Sequence, residues 1–198
     1  MGKQVRNGVN YGLYDFYLTG VPADQEYTMF QWPLEEAGPE VVAPAYLSDT
    51  GRLCMHAGAC QGTSGPYVMM ALLSAPGLPH RIGITSKDKK YGAAVMVVPD
   101  PIIGEDKGCS VEVLRVRMDF TVAVLRGKGF PPNDEVQYVS NSEGEQIKGS
   151  FKAKDQGQFT IGLAPGVKGK LQGTDQVKFK GSVCAPAVTY HWGTLEIQ

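Results

Sequence analysis

The chain has 198 residues, enough for two domains of ordinary size, and its 42% hydrophobic and 20% charged content marks a folding sequence, not a disordered one. A net charge of −1 with lysines and arginines scattered along the strands leaves no basic stripe, which excludes nucleic acid as a partner. No stretch reaches the roughly 18 apolar residues of a membrane-spanning helix, while 25 Gly and 13 Pro favour turns over long helices.

In chain order, the first residues carry Lys3 and Arg6 with no apolar stretch behind them, so a signal peptide is expected to be absent from this chain. Tyr14, Phe16 and Leu18 alternate as a strand, and "YTMFQW" at 27–32 is apolar on both faces, as a central strand would be. "PLEEAGPEVVAP" at 33–44 is punctuated by proline and suits an edge or an extended loop. Residues 53–80 form a long loop in which "VMMALL" reads equally as a short helix or a buried strand. Ile82 with Ile84 and Val95 with Val97 supply two more strands, and "VPDPIIGEDKG" marks a stiff linker.

Beyond it lie "CSVEVLRV", then Met118, Phe120, Val122 and Val124 as one buried row, and Val136 with Tyr138. "EQIKGSF", Phe159 to Leu163, Val177 with Phe179, and Val188, Tyr190 and Trp192 complete about seven strands. The halves echo each other: "YLTGVPADQEYTMFQW" returns about 107 residues later as "VLRGKGFPPNDEVQYV", and "LSDTGRL" as "AKDQGQF". The fold class expected is all-β, two immunoglobulin-like β-sandwich domains in tandem, 1–104 with the loop at 53–80 and 105–198.

The four cysteines divide two and two. Joining Cys109 to Cys184 closes a loop of about 75 residues and stabilises by about 4.5 kcal/mol on the chain-entropy estimate, whereas joining Cys54 to Cys60 gives about 2.4. Two disulfides favour an extracytoplasmic location, secreted, periplasmic or at the cell surface. Cys54, His56 and Cys60 with His80 could alternatively enclose zinc, but no paired Cys-x-x-Cys is present and a loop disulfide is preferred. The expectation is no metal and no cofactor.

Catalysis finds little support. Ser64 in "GTSGPY" lacks the nucleophile-elbow pattern, and only His56, His80 and His191 could serve as imidazole bases. Neither cysteine near a histidine sits at a helix start that would lower its pKa. Glu35 with Glu36 and Glu105 with Asp106 are sequence neighbours on loops, not a facing pair. Asp49 and Asp155 fall at equivalent turns, where the side chain bonding to nearby backbone explains them better than calcium does. Aromatic residues are the remaining hint of binding: Tyr27, Phe30 and Trp32 on one segment, with Tyr46 and Tyr67 in the loop-rich part, could form a platform for sugar rings or a protein, although burial in the core is the preferred reading for Trp32.

The stretch "VLRGKGFPPNDEVQY", followed by "KDQGQF" and a closing strand pair, resembles the immunoglobulin-like and fibronectin-type-III-like modules of bacterial secreted and surface proteins. The IPT/TIG group, with its Gly-x-Gly-Phe turn (here Gly127 to Phe130), is nearest in style. The resemblance covers most of 108–194 and, more weakly, 10–99. It implies a spacer or adhesive module without a shared catalytic set. The expected function is a non-catalytic extracytoplasmic structural or adhesive tandem module, of a kind found within larger surface proteins, with a cell-surface protein or glycan as partner. The alternative is a carbohydrate-binding or small enzymatic domain with its site in the 53–80 loop.

Overall fold

The structure, a computed structural model, describes residues 2–32, 38–56, 65–117 and 119–193. It is all-β, and among the described residues no helix is long and apolar enough to cross a membrane. The chain divides into two compact units, the first Met1–Ser74 with Pro79–Pro99 and the second Ala75–Leu78 with Asp100–Gln198.

The first unit contains β1 (Gly2–Arg6), β2 (Val9–Asp15), β3 (Tyr27–Trp32), β4 (Glu40–Leu47), β5 (Leu53–Cys54), β6 (Met69–Leu73), β7 (His80–Ser86) and β8 (Gly92–Val97). One sheet runs β1-β2-β6 and the other β5-β4-β3-β7-β8, every neighbouring pair antiparallel. Asn7 and Gly8 both take positive φ, 51° and 78°, the geometry of the two-residue hairpin turn that Asn-Gly favours, and so join β1 to β2. The ambiguous "VMMALL" is strand, because Met69–Leu73 pairs with β2 over five residues and buries Leu72. Pro44 is tolerated in β4 because β5 pairs only with Tyr46 and Leu47, leaving the outer edge at Pro44 without a ladder to interrupt. The core gathers Tyr27, Met29, Leu53, Leu72, Ile82 and Ile84.

The second unit contains β9 (Ile102–Asp106), β10 (Cys109–Arg115), β11 (Ala123–Lys128), β12 (Glu135–Ser142), β13 (Glu145–Lys152), β14 (Phe159–Leu163), β15 (Gln172–Lys180) and β16 (Ala187–Gly193). Its sheets run β14-β11-β10-β9 and β13-β12-β15-β16. Val111, Val113 and Leu125 of one sheet and Val136, Val177, Phe179 and Tyr190 of the other form a single core, a β-sandwich. Residues 102–106, read from the sequence as linker, are a strand. Lys107 and Gly108, with φ of 46° and 86°, turn it into β10 as a tight hairpin.

Met118, the first residue of the expected buried row, lies outside the described residues; over 119–124 the expected strand is displaced, and its buried face is reversed. β11 starts at Ala123, and Ala123 with Leu125 faces the core in place of Val122 and Val124. Phe120 lies in the preceding turn with φ 52°, its N–H donating to the Arg117 carbonyl. Its ring receives the buried Arg115 guanidinium at 4.1 Å, and burial pulls that arginine down to about 10.

Cys109 and Cys184 are disulfide-bonded, with Cα atoms 6.2 Å apart. The bond ties the first residue of β10 to the β15–β16 turn, across the two sheets. That turn is further held by the Ala185 N–H donating to Asp106 Oδ2 (2.7 Å) and the Ser182 N–H donating to Asp134 Oδ2 (2.9 Å). At the other end of the core, fully buried Asp175 accepts hydrogen bonds from Ser140 Oγ (2.9 Å) and Tyr190 Oη (2.9 Å). Burial, with the Asp175 carboxylate alongside, pushes the Tyr190 phenol up.

Candidate binding face

In β3, alternation sends Tyr27 and Met29 into the core and Phe30 and Trp32 to the opposite face of the sheet. Trp32 is half-buried there, with its ring centroid 6.4 Å from that of Phe30. The preferred sequence reading, Trp32 in the core, is therefore corrected. A run apolar on both faces signals a central strand, and in this case one of the two faces meets solvent.

Register explains how the ring is seated. Phe30 pairs with Gly83 and Trp32 with Arg81 on β7, while Gly83 pairs with Ala94 and Arg81 with Met96 on β8. A Cβ at Gly83 would lie 2.5 Å from Trp32 Cζ3 and Cη2, so glycine is what lets the indole lie flat on the sheet. Trp32, Arg81, Ala94, Val95 and Met96 line a cleft of about 360 Å³. Exposed Val41, opposite Phe30 on β4, extends the apolar surface. An indole face, a neighbouring guanidinium and small side chains can stack a planar or ring-shaped ligand and donate hydrogen bonds to its rim. Phe30 stood beside Trp32 in the sequence reading, whereas Arg81 and Met96 were missed. Gly83 between two core isoleucines was the signal, since glycine inside a strand marks a close approach.

Tyr46 and Tyr67 lie elsewhere. Both pair with Cys54, one on each side of β5, about six residues along the sheet from Trp32, or roughly 20 Å. Tyr46 Oη donates to Glu26 Oε2 at 2.7 Å, and that hydrogen bond pushes the phenol up. The Arg52 guanidinium lies 3.6 Å over the Tyr67 ring and donates to Asp15 Oδ1 at 2.7 Å. The three aromatic residues thus form two places, one Trp and one Tyr pair.

Cys54 is disulfide-bonded and fully buried, which removes its thiolate from the zinc arrangement. Cys60 and Ser64 lie outside the described residues, as do Glu35 and Glu36. His80 Nε2 donates to the Leu73 carbonyl at 2.9 Å, and among the described residues no group of three or more His, Cys, Asp or Glu could hold a metal ion. Asp49 and Asp155 sit in turns closed by Gly51 N–H to the Ser48 carbonyl and Gly157 N–H to the Lys154 carbonyl.

Burial lowers the pKa of His80 below its ordinary 6.5, with the hydrogen bond to Leu73 opposing the shift. The unfolded chain therefore takes up the proton first, and the first unit is expected to lose stability as pH falls below about 6.5. Denaturant midpoints measured between pH 7 and pH 5 test this: the slope should flatten in His80→Gln, and an unchanged slope would refute it.

The second unit has its own recess, about 370 Å³, on the outer face of β9, β10, β11 and β14. Glu105, Glu112, Arg126, Lys128 and Lys154 line it, with Arg126 Nη2 donating to Glu112 Oε2 at 2.6 Å. These mixed charges were not singled out as a group in the sequence, because on alternating strands they are indistinguishable from an ordinary solvated face.

No family model matches the chain, and no curated protein matches it. Among solved structures it is similar to a tetra-tandem repeat in the extending region of a large adhesion protein, with 10% identity over 95% of this chain and a TM-score of 0.32. It spans about half of that structure's length, 46%. It is also similar to the chicken interferon gamma receptor alpha chain, with 8% identity, 98% of this chain and 97% of that one covered, and a TM-score of 0.26. A DUF3823 family protein from Bacteroides ovatus matches at 8% identity, covering 97% and 94% of the two chains, with a TM-score of 0.21. Likenesses this distant carry no weight for fold or function.

Proposed function

We propose that the chain is a non-catalytic, extracytoplasmic adhesive segment, two immunoglobulin-like β-sandwich modules in series, whose contact face surrounds Trp32. The seating of Trp32 carries the reading: an indole held flat over Gly83, directed away from the core, beside Arg81. Large aromatic rings on a solvent face cost hydrophobic burial unless something covers them, and they anchor partners more strongly than other side chains do.

Strand order supports the modular part. β6-β2-β1 against β4-β3-β7-β8 repeats as β14-β11-β10 against β13-β12-β15-β16. In each, the second strand pairs with the fifth and the third with the sixth, counting from β1 and β10 and leaving out β5, as in immunoglobulin-like sandwiches. The Cys109–Cys184 bond supports an oxidising compartment.

A glycan array combined with pull-down from an envelope fraction tests the reading. Trp32→Ala should weaken binding roughly tenfold or more, about 1.4 kcal/mol, with an unchanged circular dichroism spectrum. Turnover of a glycoside, ester or peptide substrate would overturn it. The second reading, a carbohydrate site in the 53–80 loop, draws on the Arg52–Tyr67 stack. It requires Tyr67→Ala to abolish binding that Trp32→Ala leaves intact.

A further inference from the structure

We infer that β8 is a self-association edge, and that two copies of this chain join through antiparallel pairing of their β8 strands about a two-fold axis. β8 ends the five-stranded sheet, pairing with β7 on one side and, among the described residues, with no strand on the other. Its sequence, Gly-Ala-Ala-Val-Met-Val, contains neither charge nor proline. Sheet edges are commonly guarded by such residues. β1 carries Lys3 and Arg6, β9 carries Glu105 and Asp106, and β13 carries Lys148 and Lys152. β6, β14 and β16 also end their sheets without Lys, Arg, Asp, Glu or proline, but β8 alone among these carries four consecutive exposed residues, Gly92, Ala93, Ala94 and Val95, the last exposed by 46%.

The side chains agree with a strand as occupant. On the core-facing side of β8, Ala93 and Val95 border an apolar recess of about 100 Å³ that Phe16, Leu18, Ile82 and Ile84 also line. An incoming strand with a small and a medium apolar residue on one face would cover that recess, and β8 itself has this pattern in Ala93 and Val95. The same strand can therefore act as both partners, which is what a two-fold interface demands.

Charge selects the antiparallel arrangement. The turn before β8 carries Lys87, Lys89 and Lys90 against the single Asp88. Parallel copies would place two such turns side by side. Antiparallel copies centred near Ala94 hold them about 25 Å apart, beyond a Debye length at physiological salt. Two-fold pairing keeps the outer faces of both sheets on one side, so both Trp32 clefts open in the same direction.

Sedimentation velocity and light scattering on the oxidised full chain, from about 1 to about 200 µM, read the outcome. The expected result is a monomer–dimer equilibrium that Val95→Lys and, independently, Ala94→Lys shift to monomer by at least tenfold in Kd. Both positions are exposed, and circular dichroism checks that each variant is folded. Mixing Val95→Lys with Val95→Glu should restore a mixed dimer, because pairing centred near Ala94 puts the two residues at 95 opposite each other or on a diagonal about 8 Å long. Monomer at every concentration, a dimer indifferent to both lysines, or open-ended polymers would overturn the inference. Trp32→Ala should leave the dimer intact, so failure of the proposed binding face and failure of this edge are separately visible.

Discussion

Replacing both Cys109 and Cys184 with serine is expected to lower the stability of the second unit by about 2 to 4.5 kcal/mol while leaving the first unit's transition where it was. The bond closes a loop spanning 75 residues, most of the unit, and its loss frees the unfolded chain more than it disturbs the folded one. Both sulfurs are buried, so the serine hydroxyls add a smaller penalty of their own. Urea unfolding followed by fluorescence would show the second transition moving to lower denaturant. Wild-type protein in strong reductant should move with it. A transition that stays in place under both treatments would mean that the sheets hold each other without the bond.

The other large effect lies at the opposite end of the same core. Asp175→Ala should cost about 3 kcal/mol, because it strands two buried hydroxyls, Ser140 and Tyr190, that now donate to the carboxylate. The penalty comes from the abandoned donors, so removing them as well should recover much of it. Asp175→Ala combined with Ser140→Ala and Tyr190→Phe is expected to be more stable than Asp175→Ala alone. If the triple variant is less stable than the single one, the carboxylate's hydrogen bonds are not the reason it is tolerated in the core.

Strands with one buried face were legible in the sequence because period-two alternation is a direct imprint of the pleat, as in Val177 and Phe179 or Val188, Tyr190 and Trp192. The reading failed where backbone conformation overrode that pattern. Phe120 fits a strand by hydrophobicity, yet it occupies a left-handed turn under Arg115, a tertiary contact that no local rule contains. Lys107-Gly108 is a weaker hairpin signature than Asn-Gly, so β9 was hidden among prolines and acidic residues.

The candidate site was half legible. Trp32 stood out by type, but its direction depended on which face of β3 the core occupied. Phe30 shares that face by alternation within β3, but Arg81 and Met96 join it only through register with β7 and β8, which sequence spacing alone does not give.

The Cys109–Cys184 cross-link also sets how the chain answers to pulling. Force across the second unit has first to peel β9 and β16, whose outer ends, Ile102 and Gly193, lie at the far end of the sheets from Cys109 and Cys184; once they are peeled, the covalent bond carries the load between the two cysteines. If that unit tears open while oxidised, the 75-residue span stays shut and roughly 250 Å of contour is withheld.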